Sequence, residues 1–492
     1  MNRLQLATLI SLLLSISLYA QDAEPKDGVT TTEHKLTING KVIEYTVQAG
    51  TLPIKNDKGE VTARMFHIAY LKKGEDLTKR PLLFSFNGGP GSSSVWLHLG
   101  IFGPRRVKTN DDGSLPKAPY EMAVNDESLL DVTDLVFIDP ISTGFSRPAP
   151  GKDGKEFHGV EGDLRSVAEF IRLWLTRHQR WASPKFIAGE SYGTTRASGL
   201  SALLQSAHGI NVNGIILISA VLNFQTIRFD DGNDLPFSLF LPTYTATAWY
   251  HKRLPADLQQ KTLAEVTREA REFAGGEYSK ALIVGHALKE QQRNEIAAKV
   301  ARYTGLSEDY VKRANLRIDA MRFMKELMRD KRESVGRYDS RLKSTDFDAD
   351  REMPNFDASY AAVQAPYTQA LNQYLLSELK YEADLPYKIL TGDVQPWDYG
   401  NARNRYLNHG GQMQSAMTQN QHLRVFLALG YYDLATPFYA AEYTMDHLGS
   451  NATVRDRIAS AYYEAGHMMY IHKDSRLKLR QDLVRFIQES IK

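Results

Sequence analysis

The heptapeptide AGESYGT, at positions 188–194, indicates how this chain folds. It follows a short apolar run of strand type at 184–187, and it precedes residues 195–208, whose leucines recur at helical spacing. A Gly-x-Ser-x-Gly motif at a strand-to-helix turn is typical of a nucleophile elbow, because the sharp turn requires small flanking residues and exposes the serine hydroxyl. The sequence therefore predicts that Ser191 is a nucleophile. The alternative is a chance match, since the motif alone is a weak pattern.

Apolar runs of strand type lie on both sides of this motif and alternate with helical patterns. The predicted strands lie at 81–86, 134–139, 214–219, 423–429 and 458–463, and helices are predicted at 163–181 and 475–491. This alternation predicts a mostly parallel sheet that is covered on both faces. Ahead of it, residues 34–71 have the pattern of an antiparallel meander, with Ile43, Tyr45 and Val47 facing the core.

Residues 231–380 interrupt the strand pattern. The segment 256–331 is rich in Ala, Glu, Lys, Arg and Leu, which favour helix, and Ser307 is a suitable N-cap. We interpret 231–380 as a helical cap inserted over one end of the sheet. The alternative is an independent helical domain. The core would then comprise residues 21–230 and 381–492.

The composition excludes several classes of function. None of the 492 residues is a cysteine, which excludes disulfides, thiolate metal sites and cysteine nucleophiles. The net charge of +2 gives no reason to expect nucleic acid as a partner. Neither a zinc-protease motif nor a dinucleotide-binding motif occurs, so we predict no metal and no cofactor.

The N-terminus has the pattern of a secretory signal peptide. Arg3 precedes an apolar core at 6–18, and Ala20 suits the last position before cleavage. We expect residues 1–20 to be removed and the protein to be secreted or periplasmic, without a membrane anchor. The alternative is a buried N-terminal helix.

A serine nucleophile needs a base and an acid that orients the base. In hydrolase sheets these residues follow in the order nucleophile, acid, histidine. Asp433 and His467 have this order, and both come after predicted strands, where such sites are built. The alternative bases are His447 and His472, and the alternative acids are Asp393 and Asp398.

Four motifs taken together resemble the serine carboxypeptidase family. They are NGGPGSS at 87–93, GESYG at 189–193, GYYD at 430–433 and AGHM at 465–468. The resemblance implies an α/β-hydrolase fold. It also implies a serine-type carboxypeptidase, which removes C-terminal residues from peptides through an acyl-enzyme and requires a substrate with a free C-terminus.

The resemblance also implies roles for individual residues. Ser191 would be the nucleophile, His467 the base and Asp433 its orienting acid. The backbone N–H groups of Gly89 and Tyr192 would form the oxyanion hole. The residues expected to bind substrate are Asn87, Gly88, Glu190 and Met468. Of these, Asn87 and a protonated Glu190 would hydrogen-bond the substrate's C-terminal carboxylate.

Three positions depart from the family pattern. Ser85 replaces a tryptophan, Ser92 replaces a cysteine, and Ile101 replaces a second glutamate. An apolar side chain cannot make the hydrogen bond of the missing carboxyl. An esterase or acyltransferase on the same fold is therefore an alternative, and a non-catalytic binding protein is a third hypothesis.

Overall fold

Antiparallel strands form one edge of the central sheet, and parallel strands form the rest. The structure is a computed structural model that describes residues 28–449 and 452–492. The predicted signal peptide at 1–20 lies outside the described residues. The strands are β1 (Val29–Ile38), β2 (Lys41–Lys55), β3 (Val61–Lys72), β4 (Leu82–Phe86), β5 (Arg105–Val107), β6 (Met122–Val124), β7 (Asp134–Ile138), β8 (Arg147–Pro148), β9 (Lys185–Glu190), β10 (Gly214–Ile218), β11 (Glu333–Val335), β12 (Lys343–Thr345), β13 (Arg424–Gly430) and β14 (Ile458–Tyr463).

Helices cover the sheet and form the insertion between β10 and β13. They are α1 (Val95–Leu97), α2 (Val160–Arg177), α3 (Tyr192–His208), α4 (Leu235–Tyr250), α5 (Ala256–Gln259), α6 (Leu263–Phe273), α7 (Ser279–Val284), α8 (Glu290–Thr304), α9 (Glu308–Arg313), α10 (Ala320–Glu326), α11 (Ala358–Ser377), α12 (Gly410–Gln419), α13 (Phe438–Asp446), α14 (Ala452–Arg455) and α15 (Lys473–Ser490). Within the residues described, no helix is long and apolar enough to span a membrane.

The order of strands in the sheet is β1-β2-β3-β7-β4-β9-β10-β13-β14, and β8 pairs with β3. Strands β1, β2 and β3 pair antiparallel, as the meander pattern predicted, and β3 also pairs antiparallel with β7. Neighbours from β7 to β14 are parallel. The fold is an α/β-hydrolase fold, which confirms the fold class. Because the carboxyl ends of the parallel strands lie at one edge, the loops that follow β4, β9, β10, β13 and β14 converge there.

The alternation of apolar residues along each strand produces two core clusters, one on each face of the sheet. In β10, Ile216 and Ile218 belong to one cluster, which α11 and α15 cover. Ile215 and Leu217 belong to the other, which α2 and α3 cover. The predicted two-sided covering of the sheet is therefore present.

The region 231–380 is mostly helical in the structure. Helices from α4 to α10 form a third apolar cluster together with Tyr432 and Leu434, on either side of Asp433. The Ser307 side chain caps α9 by accepting a hydrogen bond from Tyr310 N–H. Two features differ from the expectation. The last helix, α11, packs through Leu371 and Tyr374 on the first core cluster. A short β11–β12 hairpin, for which the sequence gives no signal, precedes α11.

Candidate active site

Ser191 lies in a strained turn between β9 and α3. Its φ and ψ are 60° and −129°, a conformation that costs a non-glycine residue about 1–3 kcal/mol. The flanking glycines permit the turn, since a Cβ on Gly189 would overlap the carbonyl of Gly193. The Ser191 N–H donates to the Ile218 carbonyl at 3.1 Å, which ties the turn to the end of β10. The turn has the geometry that a nucleophile elbow requires.

The glycine-rich loop after β4 lies directly against this elbow. A Cβ on Gly88 would overlap the backbone nitrogen of Tyr192, so only glycine allows this approach. Gly89 and Tyr192, whose N–H groups are the predicted oxyanion donors, line the same cavity as Ser191. The structure therefore brings these three predicted site residues together.

The predicted acid and base lie in contact with each other, and His467 lines the same cavity. Asp433 Oδ2 is 2.7 Å from His467 Nδ1, and Asp433 is fully buried. The backbone N–H groups of Ala435 and Thr436 donate to Asp433 Oδ1 at 2.8 and 2.9 Å. The Thr436 hydroxyl donates to Oδ2 at 2.7 Å. These bonds fix the carboxylate in a position from which it can orient the imidazole.

The alternative bases and acids lie away from the cavity. His447, directly after α13, contacts the Tyr443 carbonyl through its Nδ1, and His472 contacts the Ser475 hydroxyl at the start of α15. Asp393 and Asp398 form ion pairs with Lys388 and Arg403. None of the four candidates lines the cavity that contains Ser191, so the geometry favours Asp433 and His467.

Two opposing effects act on the pKa of His467. Burial alone would lower it, but the charge and hydrogen bond of Asp433, with a contribution from Glu190, outweigh burial and raise the pKa above its ordinary value. A raised pKa makes the imidazole a stronger base.

Glu190 is a buried carboxyl beside Ser191. Asn87 Nδ2 donates to its Oε1 at 2.9 Å. Burial raises the pKa of Glu190 to about 7, although His467, Tyr470 and Asn87 act in the opposite direction. Its second oxygen, Oε2, is buried and completes no hydrogen bond within the described part of the chain. Glu190 can therefore hold a proton near neutral pH and donate it to a ligand.

These groups share one cavity of about 470 Å³. All predicted site residues except Asp433 line it: Asn87, Gly88, Gly89, Glu190, Ser191, Tyr192, His467 and Met468. The insertion contributes Asp319, Ala320 and Met321 from the start of α10, together with Arg337 and Tyr338. For residues 28–449 and 452–492, no three His, Asp or Glu side chains are grouped so that they could hold a metal ion.

Sequence reasoning missed the segment 336–341, which lies in the turn between the hairpin strands β11 and β12. The Tyr338 carbonyl accepts from His467 N–H, and the Arg337 carbonyl accepts from Leu434 N–H at 3.0 Å. Asp339 Oδ2 accepts from Gly466 N–H at 3.1 Å. The segment therefore holds both the loop of Asp433 and the loop of His467. Its place inside a helix-rich insertion gave no signal of this contact.

Arg196 is a second residue that the sequence did not reveal. It lies on α3, is fully buried, and its Nε donates to Asp163 Oδ2 of α2 at 2.7 Å. Its Nη1 donates to the Asn87 carbonyl at 2.6 Å. The pair therefore joins two helices to the glycine-rich loop. The only sequence signal is a charged residue on an otherwise uncharged stretch of α3.

The three departures from the family pattern lie in the interior. Ser85 is buried in β4. The Ser92 hydroxyl accepts a hydrogen bond from Trp96 Nε1 at 2.9 Å. Ile101 is fully buried in the first core cluster and does not line the cavity. It therefore places no group in position to contact a substrate.

Comparisons with known proteins agree with the motifs. The family model described as serine carboxypeptidase matches residues 41–480. The protein named serine carboxypeptidase-like 5 from Arabidopsis thaliana is 30% identical over 152 residues, which are 29% of this chain and 33% of the relative. Serine carboxypeptidase-like 12 from the same plant is 27% identical over 205 residues, 38% of this chain and 45% of the relative. This chain thus spans about a third to under half of the length of these curated relatives. Among solved structures, proline iminopeptidase from Mycobacterium smegmatis aligns with a TM-score of 0.34 at 11% identity, over 94% of this chain and 99% of that one.

We expect that loss of the buried Asp163–Arg196 ion pair will lower the stability of the protein considerably. Asp163→Asn leaves a buried guanidinium without its counter-charge, so we expect the free energy of unfolding to fall by about 3–5 kcal/mol in urea denaturation. Glu161→Gln is the matched control on the same helix, because its pair with Arg165 is exposed and such pairs contribute about 0–1 kcal/mol. Equal losses in the two variants would contradict a structural role for the buried pair.

Proposed function

Because this chain belongs to the serine carboxypeptidase family, and is thus a serine hydrolase, we propose that it removes residues one at a time from the free C-termini of peptides. The observation that carries the proposal is the single cavity that Ser191 and His467 share with the Asn87–Glu190 pair. The first two residues supply the chemistry of acyl transfer, and the pair supplies hydrogen-bond donors for a carboxylate.

In the proposed reaction, Ser191 Oγ attacks the carbonyl carbon of the last peptide bond while His467 Nε2 accepts its proton. Asp433 stabilises the imidazolium that forms. The N–H groups of Gly89 and Tyr192 bind the negative oxygen of the tetrahedral intermediate, and each such donor contributes about 3–4 kcal/mol. His467 then protonates the departing amine, which leaves as the free C-terminal residue. Water, activated by His467, hydrolyses the acyl-enzyme ester.

Recognition of the substrate would use the buried carboxyl. A protonated Glu190 donates its O–H to the terminal carboxylate, and Asn87 contributes its second amide hydrogen. Met468 lies in the wall of the cavity, where it can contact the leaving residue. Export from the cytoplasm stays part of the proposal and depends on the N-terminal sequence alone.

Ester hydrolysis or acyl transfer at the same site is a second candidate. The family's second glutamate is replaced here by Ile101, which is buried. Of the two family carboxyls, Glu190 is therefore the one present beside Asn87, and a site with fewer donors for a C-terminal carboxylate favours an ester substrate. Both candidates use the same nucleophile and differ in the substrate.

The direct test incubates N-blocked peptides with wild-type protein and with Ser191→Ala at about pH 5 and 7.5, followed by mass spectrometry. We expect stepwise loss of C-terminal residues with the wild type only. Intact peptides, with Ser191 still labelled by a fluorophosphonate, would refute the carboxypeptidase and favour the ester substrate. Absence of labelling would favour the non-catalytic alternative.

A second test addresses the acid of the triad. Asp433→Asn should lower kcat by about 10⁴-fold, because the amide stabilises the wrong tautomer of His467. Asp398→Asn is the control, since Asp398 is a surface residue paired with Arg403, and its kcat should match the wild type. A comparable loss in both variants would contradict the role of Asp433.

We expect the protonation state of Glu190 to make kcat/KM for peptides depend on pH. Below its pKa of about 7 the carboxyl is protonated and donates to the substrate, whereas above it the anion repels the substrate's carboxylate. We expect kcat/KM for peptides with free C-termini to fall as pH rises through about 7. Glu190→Gln should abolish this fall, because the amide stays a neutral donor. A descending limb unchanged in Glu190→Gln would refute this assignment.

A further inference from the structure

Arg337 places a positive charge in the wall of the active-site cavity. Its guanidinium forms no ion pair and no hydrogen bond with the residues that the structure describes. The guanidinium carbon lies 5.5 Å from the centroid of the Tyr338 ring, and that ring lies 5.1 Å from the ring of His467. This guanidinium, which forms no ion pair with the described residues, therefore lies one aromatic ring away from the proposed base.

The backbone of Arg337 is held by hydrogen bonds to two other segments. Its N–H donates to Asp357 Oδ1 at 3.1 Å, and its carbonyl accepts from Leu434 N–H at 3.0 Å. The carbonyl of the next residue, Tyr338, accepts from His467 N–H. These contacts fix the Cα of Arg337 relative to both catalytic loops. The side chain contacts the Tyr338 ring and makes no hydrogen bond or ion pair within residues 28–449 and 452–492, so its N–H donors are available to a ligand.

The Asn87–Glu190 pair alone offers few donors to a carboxylate. Asn87 donates one Nδ2 hydrogen to Glu190 Oε1, and its Oδ1 accepts from Leu97 N–H at 3.1 Å. One amide hydrogen remains, and a protonated Glu190 adds one O–H. Both donors are neutral, whereas an ionised carboxylate has about four acceptor sites. A guanidinium supplies five N–H donors and a full charge.

From these contacts we infer that Arg337 binds the terminal carboxylate of the peptide substrate and so selects peptides with free C-termini. The inference rests on the proposed carboxypeptidase function and names the cation that recognises the substrate class. A planar guanidinium binds a carboxylate through two parallel N–H···O bonds. The carboxylate is then held between the core, through Asn87 and Glu190, and the insertion, through Arg337.

The experiment compares two N-blocked peptides of the same sequence, one ending in a free carboxylate and one in an amide. Arg337→Gln should lower kcat/KM for the free acid by about 10- to 100-fold, as for a lost charged hydrogen bond, with a much smaller change for the amide. Arg337→Lys should recover part of the loss, because lysine keeps the charge but not the planar fork. Stoichiometric fluorophosphonate labelling of Ser191 establishes that each variant is folded.

The matched control is Arg228→Gln. Arg228 is another cation in the cavity wall, but its Nη2 donates to the Tyr399 hydroxyl at 3.2 Å. We expect this variant to keep the wild-type ratio of acid to amide turnover. An unchanged ratio in Arg337→Gln, or an equal fall in Arg228→Gln, would overturn the inference. Wild-type protein that releases no C-terminal residue would instead refute the proposed function itself.

Discussion

The close approach of residues 87–89 of the glycine-rich loop to the elbow at 189–193 is the constraint on which the candidate active site depends. Strands β4 and β9 pair in parallel, with Phe86 opposite Gly189, so both loops leave the sheet at the same level. Gly88 then lies against the backbone nitrogen of Tyr192, where a methyl group would overlap it. The strained φ of Ser191 is maintained because β9 and α3 are packed in the core on either side. The sheet therefore determines where the serine and the backbone N–H groups meet.

Buried charged groups form hydrogen bonds with the glycine-rich loop at both of its ends. Arg196 donates to the carbonyl of Asn87 at its start. Asp139 accepts from the backbone N–H and the hydroxyl of Ser94 at its end, each at 2.8 Å, and burial raises the pKa of Asp139 to about 6. Burying such groups costs stability relative to apolar packing. What they supply instead is a loop backbone that is fixed before substrate binds, which an oxyanion site requires.

The parts of this site that depend on local pattern could be predicted from the sequence, and the parts that depend on long-range contact could not. Strand periodicity, the Gly-x-Ser-x-Gly motif and the order Ser191, Asp433, His467 are all properties of short segments. Arg196 meets Asp163 and Asn87 only after α2, α3 and β4 have packed together. Tyr338 reaches His467 across 129 positions of the chain, from an insertion whose composition indicated helices and nothing else. The packing of α11 on the core was missed for the same reason.

The insertion contributes both a side chain and backbone contacts to the candidate site. Its segment 336–341 supplies the Arg337 guanidinium to the cavity, and its backbone also holds the loops of Asp433 and His467. A guanidinium is charged at every physiological pH, whereas the buried Glu190 is a donor only while it is protonated. In the proposed recognition of the substrate, Arg337 would therefore contribute a permanent charge from the insertion, and Glu190 a pH-dependent donor from the core. Because one segment carries Arg337 and also holds the loops of Asp433 and His467, any displacement of that segment would change the cavity wall and the contact between Asp433 and His467 together.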